Sequence, residues 1–97
     1  MTGRYLIGEL SVRLERLQAA VAHEAAREVA DLRSRVETSS ADWLPWELTQ
    51  ALALADRACR ESLTGGDADA FARQAAIGAD LLSFGVCARL LDDDYLA

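Results

Sequence analysis

One histidine, two cysteines and two tryptophans are the residues from which any chemistry in this chain would have to be built. His23, followed directly by Glu24, could accept a phosphoryl group on a ring nitrogen. Arg16 and Arg27 lie close to it on the outer face of the same expected helix. Cys59 and Cys87 fall on different expected helices without C-x-x-C spacing. A zinc site needs about four His, Cys or carboxylate ligands, so the pair reads as two reduced thiols of a cytoplasmic protein, and no metal or cofactor is expected. The chain carries no glycine-rich phosphate loop and no nucleophile beside a base, so the expectation leans away from an enzyme.

Trp43 and Trp46 bracket Leu44-Pro45 at the start of a helical stretch. With 100° of rotation per residue and an inward stripe of Leu44, Leu48, Leu52, Ala55, Cys59 and Leu63, the opposite side carries Trp46, Gln50, Ala53, Leu54, Arg57 and Glu61. Tryptophan and arginine are enriched among the residues that dominate binding energy, and exposed apolar patches mark contact surfaces. Trp43, Trp46, Gln50, Leu54 and Arg57 are therefore the candidate partner-binding residues. The alternative is that the two indoles fold back over the end of the first helix and close the bundle.

These side chains are positioned by three amphipathic helices, and the expected fold is an all-α, three-helix antiparallel bundle in one domain, residues 1–97. The first helix spans about 4–37, with Leu6, Leu10, Leu14, Leu17, Val21, Ala25, Val29, Leu32 and Val36 at three- and four-residue steps. The second, about 43–64, starts after the polar break at Thr38 to Asp42, takes Pro45 in its first turn, and ends on Gly65 as a left-handed cap. The third, about 67–93, is capped by Asp67 and apolar over most of its circumference. Its large residues are Ile77, Leu81, Phe84, Leu91 and Tyr95. Beside them runs a strip of Phe71, Ala75, Gly78, Leu82 and Gly85, whose glycines imply close helix approach, since each costs roughly 1 kcal/mol in a helix interior. Asp80 reads as part of a solvated stripe. Asp92-Asp93-Asp94 would oppose the helix dipole unless the helix ends first or arginines of a neighbour meet them, and Tyr95-Leu96-Ala97 could anchor or tag the tail.

At 1.5 Å per residue such a first helix would be about 50 Å long, beyond what the other two could cover. Either it bends near Gly8 or a second subunit covers the excess, and a homodimer is the expectation. The net charge of −6, and the absence of lysine, leave no basic patch for nucleic acid or anionic membrane. Arginine in place of lysine, with abundant alanine, looks like the codon bias of a GC-rich genome. The start of the chain is too briefly apolar for a signal peptide, and the longest weakly charged run, Gln74 to Ala88, falls short of the ~20 apolar residues of a membrane span.

Ala22-His23-Glu24 resembles the phosphoacceptor box of histidine-kinase dimerisation helices, although Ala25-Ala26-Arg27-Glu28 departs from the hydrophobic-Arg and Thr-Pro continuation. The resemblance implies a phosphotransfer module with His23 as acceptor. Arg16-x6-His23 is similar to the spacing in HEPN-type ribonucleases. A long-short-long helix trio resembles the small helical chorismate mutases, whose cationic cluster and first-helix lysine are missing. Trp43-Leu44-Pro45-Trp46 lies where secreted WXG-type hairpins turn, with Pro45 in place of glycine. The reading that gathers most of these features is a small helical protein–protein interaction module, an adaptor or regulatory subunit. Histidine phosphotransfer and a small helical enzyme are the alternatives.

Overall fold

In the computed structural model, which describes residues 3–91 apart from the Ala41 side chain, every regular element is helical. Helices α1 (Gly3–Ala19), α2 (His23–Thr38), α3 (Leu44–Thr64) and α4 (Ala68–Cys87) follow one another, with a single 3-10 turn at Ala41–Trp43 before α3. There are four helices rather than three, because the expected first helix folds back on itself at Ala20–Ala22. Ser11 Oγ donates to Glu37 Oε1 at 2.9 Å and Arg33 lies 3.8 Å from Glu15, so α1 and α2 form an antiparallel hairpin. A helix of about 50 Å would not fit a molecule whose longest extent is 40 Å. The excess length that pointed to a second subunit is therefore absent, and Gly8 lies within an unbroken α1.

Nothing in Gln18-Ala19-Ala20-Val21-Ala22 stops a helix locally, and the reversal is held by a distant side chain. Gln74 of α4, only 4 % exposed, donates from Nε2 to the Ala20 carbonyl at 2.8 Å and accepts from Ser62 Oγ at 2.7 Å. Folding back also gives each half of the stripe a surface to bury. Leu10, Leu14 and Leu17 of α1 meet Val29, Leu32 and Val36 of α2, all with no exposure. Each fully buried aliphatic side chain contributes roughly 1.5–3 kcal/mol relative to exposure.

The second hairpin, α3–α4, is the most extensive helix pair. Both of its helices stop in the same way. At the end of α3, the Asp67 N–H bonds to the Ser62 carbonyl and the Gly66 N–H to Leu63, with Gly66 at φ 75°. Gly65, expected to be the left-handed residue, is right-handed at φ −79°. At the end of α4, Leu90 N–H reaches Gly85 and Arg89 N–H reaches Val86, with Arg89 at φ 61°. This is the Schellman closure, here with arginine where glycine is usual. It ends α4 at Cys87, before the expected 93. The Asp67 cap is as expected, its Oδ1 accepting from Ala70 N–H. Asp92 to Ala97, including the acidic triplet, lie outside the described residues.

The inward face of α3 is rotated from the expected stripe. Leu44, Leu48, Ala51, Ala55 and Ala58 are buried, Leu52 and Cys59 are half-buried, and Leu63 is 67 % exposed. Small residues at 51, 55 and 58 allow α3 to nestle between two neighbours, so Leu54 is half-buried as well. The two glycines of α4 differ. A Cβ on Gly85 would lie 2.5 Å from Leu48 Cδ2 and 2.6 Å from Leu91 Cδ1, whereas one on Gly78 would meet Ala55 Cβ at an ordinary 3.7 Å.

Asp80, its side chain still 43 % exposed beside exposed Asp69, Arg73, Ser83 and Cys87, keeps the solvated stripe expected of it and adds an ion pair to α1. Its Oδ2 is 3.1 Å from Arg13 Nε and 4.0 Å from Arg16 Nη1. Arg13 also stands 4.4 Å over the Phe84 ring and 2.7 Å from Glu9. Its Nε has no in-line hydrogen bond, so the Asp80 contact is an ion pair off the N–H axis. The hydrogen bond from Arg13 holds the Glu9 carboxyl below its ordinary value, against a smaller opposing effect of burial.

Candidate interaction surface on the α2–α3 seam

Pro45 sits in the first turn of α3, where its missing N–H costs nothing, and the 3-10 turn before it delivers Leu44 inward. Trp43 and Trp46 on either side of Leu44-Pro45 are thereby turned out. They are 63 % and 61 % exposed, and neither closes the bundle.

One turn after Trp46, α3 lies against α2. Gln50, Ala53, Leu54 and Arg57 line a hollow of about 400 Å³ with Glu28 and Arg35 of α2. Three of the sequence-derived candidates, Gln50, Leu54 and Arg57, are thus brought together. The two α2 residues escaped notice because a straight first helix would carry them away from α3. Its floor is the aliphatic surface of Ala53 and Leu54. Arg35 Nη2 donates to Gln50 Oε1 at 2.9 Å across one end, and Arg57 is hydrogen-bonded to Glu28 across the other. That bond, together with the charge of Glu28, raises the pKa of the guanidinium and keeps it firmly protonated.

Glu47 lies beside this seam, only 7 % exposed. Its Oε2 is 3.9 Å from Arg35 Nε and accepts no hydrogen bond. In the first turn of α3 the carboxylate also faces the positive end of the helix dipole. A buried carboxylate was not anticipated there, because the period places position 47 between the inward and outward faces.

Beyond the Glu28–Arg57 bridge the seam continues into a second hollow of about 430 Å³. It is lined by Ala22, His23, Glu24, Ala25, Glu28, Arg57 and Glu61. His23 is exposed in the first turn of α2. It stands beside the α1–α2 reversal, not midway along a long helix. On the far side of α3, Leu52, Cys59, Ala75, Gly78 and Leu82 line a shallower depression. Cys59 is half-buried and Cys87 exposed, both as free thiols. Burial, with a smaller contribution from Asp56, raises the Cys59 pKa.

Among the described residues no group of three or more His, Cys, Asp or Glu side chains could hold a metal ion, and no helix is long and apolar enough to cross a membrane. No family of known proteins, curated protein or solved structure matches this chain.

Proposed function

We propose that this chain is a small helical protein–protein interaction module, an adaptor or regulatory subunit, which binds a partner along the α2–α3 seam. One observation carries the reading. A half-apolar hollow between α2 and α3 begins one helical turn beyond an exposed tryptophan, and tryptophan and arginine at such a place are the residues that anchor interfaces. A folded domain of this size gains nothing for its own stability by holding two indoles in water.

Homodimerisation belongs to the same proposal. The face of α4 away from the core carries exposed Ala72, Ala76, Ala79 and Ser83, and between Arg73 and Arg89 its one ionic group, Asp80, turns to Arg13. A second copy packs there without burying an unpaired charge. Light scattering tests this directly, since a dimer has twice the 10.5 kDa mass of one chain. A mass of one protomer at micromolar concentration would refute it.

The partner-binding reading is tested by affinity capture from the native host's lysate, comparing the wild type with the Trp43→Ala, Trp46→Ala double variant. Both indoles are exposed, so the variant keeps its core and its circular dichroism. A stoichiometric protein present with wild type and lost with the variant is the expected result. Equal recovery on both baits would show that this face is not the binding surface.

A further inference from the structure

The α2–α3 furrow is asymmetric along its length, and its two ends differ in chemistry. The two hollows adjoin at the Glu28–Arg57 bridge, which lines both and over which the furrow passes from one to the other. Toward the start of α3 the furrow has Ala53 and Leu54 as an apolar floor, and exposed Trp46 stands one helical turn before Gln50 at that end. At the start of α2 the furrow is lined by three carboxylates, Glu24, Glu28 and Glu61, against one guanidinium, that of Arg57. Arg57 is already engaged by Glu28, and Glu61 reaches it only at 4.0 Å. Arg35, the other cation of the furrow, is answered by Gln50 and by the buried Glu47. Neither arginine is left over for an acidic partner, while carboxylate acceptors are in excess.

We infer that the partner segment is a basic amphipathic helix, lying along the furrow with its apolar end on Trp46 and its cationic end among Glu24, Glu28 and Glu61. The inference rests on the reading of the seam as an interaction surface. Among the described residues there is no strand and hence no sheet edge for an extended peptide to join, whereas a furrow walled by two helices with an apolar floor suits an amphipathic helix laid in it. The 16 residues of α2 flank the whole furrow, a run of about 24 Å at 1.5 Å per residue, which an occupant of four or five turns would match. Complementary charge at one end alone also fixes the direction in which the helix lies. The net charge of −6 adds long-range attraction of the same sign and speeds the encounter.

The test uses fluorescein-labelled synthetic 18-residue helices sharing one leucine stripe. One carries three lysines flanking the stripe at a single end, and its twin carries glutamates there. Anisotropy titrations against the intact chain are expected to show the lysine peptide binding at least tenfold more tightly than the twin. Its affinity should fall about tenfold in Glu24→Gln, Glu61→Gln, and again between 50 and 500 mM NaCl as the charges are screened. Trp46→Ala should weaken both peptides. Equal binding of the two peptides would overturn the assignment of a basic helix while leaving the furrow as an interaction surface. Binding of neither peptide also overturns it, and the capture experiment then says whether the surface survives. A lysate protein lost with the double tryptophan variant keeps the surface with a different occupant, and none removes both readings. If neither peptide binds and the chain is dimeric at the concentration used, dissociated by Trp46→Ala, the occupant is a second copy.

Discussion

Gln74 ties three parts of the chain together with one amide, and its removal isolates what that is worth. In Gln74→Ala the Ala20 carbonyl and the Ser62 hydroxyl lose their partner in a part-buried site. Groups stranded in this way cost about 1–3 kcal/mol each, so the urea midpoint should fall with the slope unchanged. The two glycines of α4 provide a matched pair at the same scale. Gly85→Ala drives a methyl into Leu48 and Leu91 and should destabilise by about 1–3 kcal/mol. Gly78→Ala meets only ordinary contact and should be neutral or stabilising by up to about 1 kcal/mol. A thermal or urea denaturation series on the two variants separates these outcomes, which the sequence alone treats as identical. The thiols differ through burial. Because the Cys59 pKa is raised, less of it is thiolate at a given pH, and thiolate is the reactive form. An aromatic disulfide reagent at pH 8 should modify exposed Cys87 first and Cys59 slowly, and Cys87→Ser should leave only the slow phase. Single side chains were legible where exposure follows from helical phase, as at Trp46. They were not where a partner comes from afar, as with Asp80 and Arg13 or Gln74 and Ala20.

Periodicity and caps exposed the start of α3, the Asp67 cap and the Pro45 placement. They concealed the reversal between α1 and α2. Leu17, Val21, Ala25 and Val29 keep four-residue steps straight through it, and the intervening alanines favour a helix. The information that breaks the helix lies in α4, beyond the reach of any local window. The mismatch in helix lengths was the one outward sign, since about 50 Å of stripe had no surface to cover. A direct check places spin labels at Val12→Cys and Ser34→Cys in a Cys59→Ser, Cys87→Ser background. Paired helices hold backbones about 8–10 Å apart, so strong short-range dipolar coupling is expected. A single straight helix would separate the sites by about 33 Å, and a distance near that value would contradict the hairpin. The α3 stripe was misjudged for a related reason. Leu52 and Leu63 look inward by type, but alanine at 51, 55 and 58 lets α3 approach its neighbours and wins the buried side.

On the scale of the molecule, two sequence-local hairpins dock into a body of 40 × 30 × 16 Å, and the candidate surface exists only because they dock. Glu28 and Arg35 come from one hairpin, and Gln50, Leu54 and Arg57 from the other. No reading of one helix at a time could assemble the furrow. Its outward anchors could be foreseen, its α2 wall could not. The Arg57→Ala variant follows from this. It removes the bridge to Glu28 between the two hollows, so it should change affinity for a partner while leaving the melting temperature nearly unchanged, as surface pairs contribute little. A large drop in melting temperature would instead make the bridge a structural fastener.

The amide of Gln74 has one more consequence. It joins the reversal of the first hairpin to the closing end of the second, so neither can fray without releasing the other. Hydrogen exchange at the Ala20 and Asp67 amides should therefore occur through a common opening, with matched protection that responds equally to denaturant. In Gln74→Ala the two ends should exchange independently, each hairpin breathing on its own timescale.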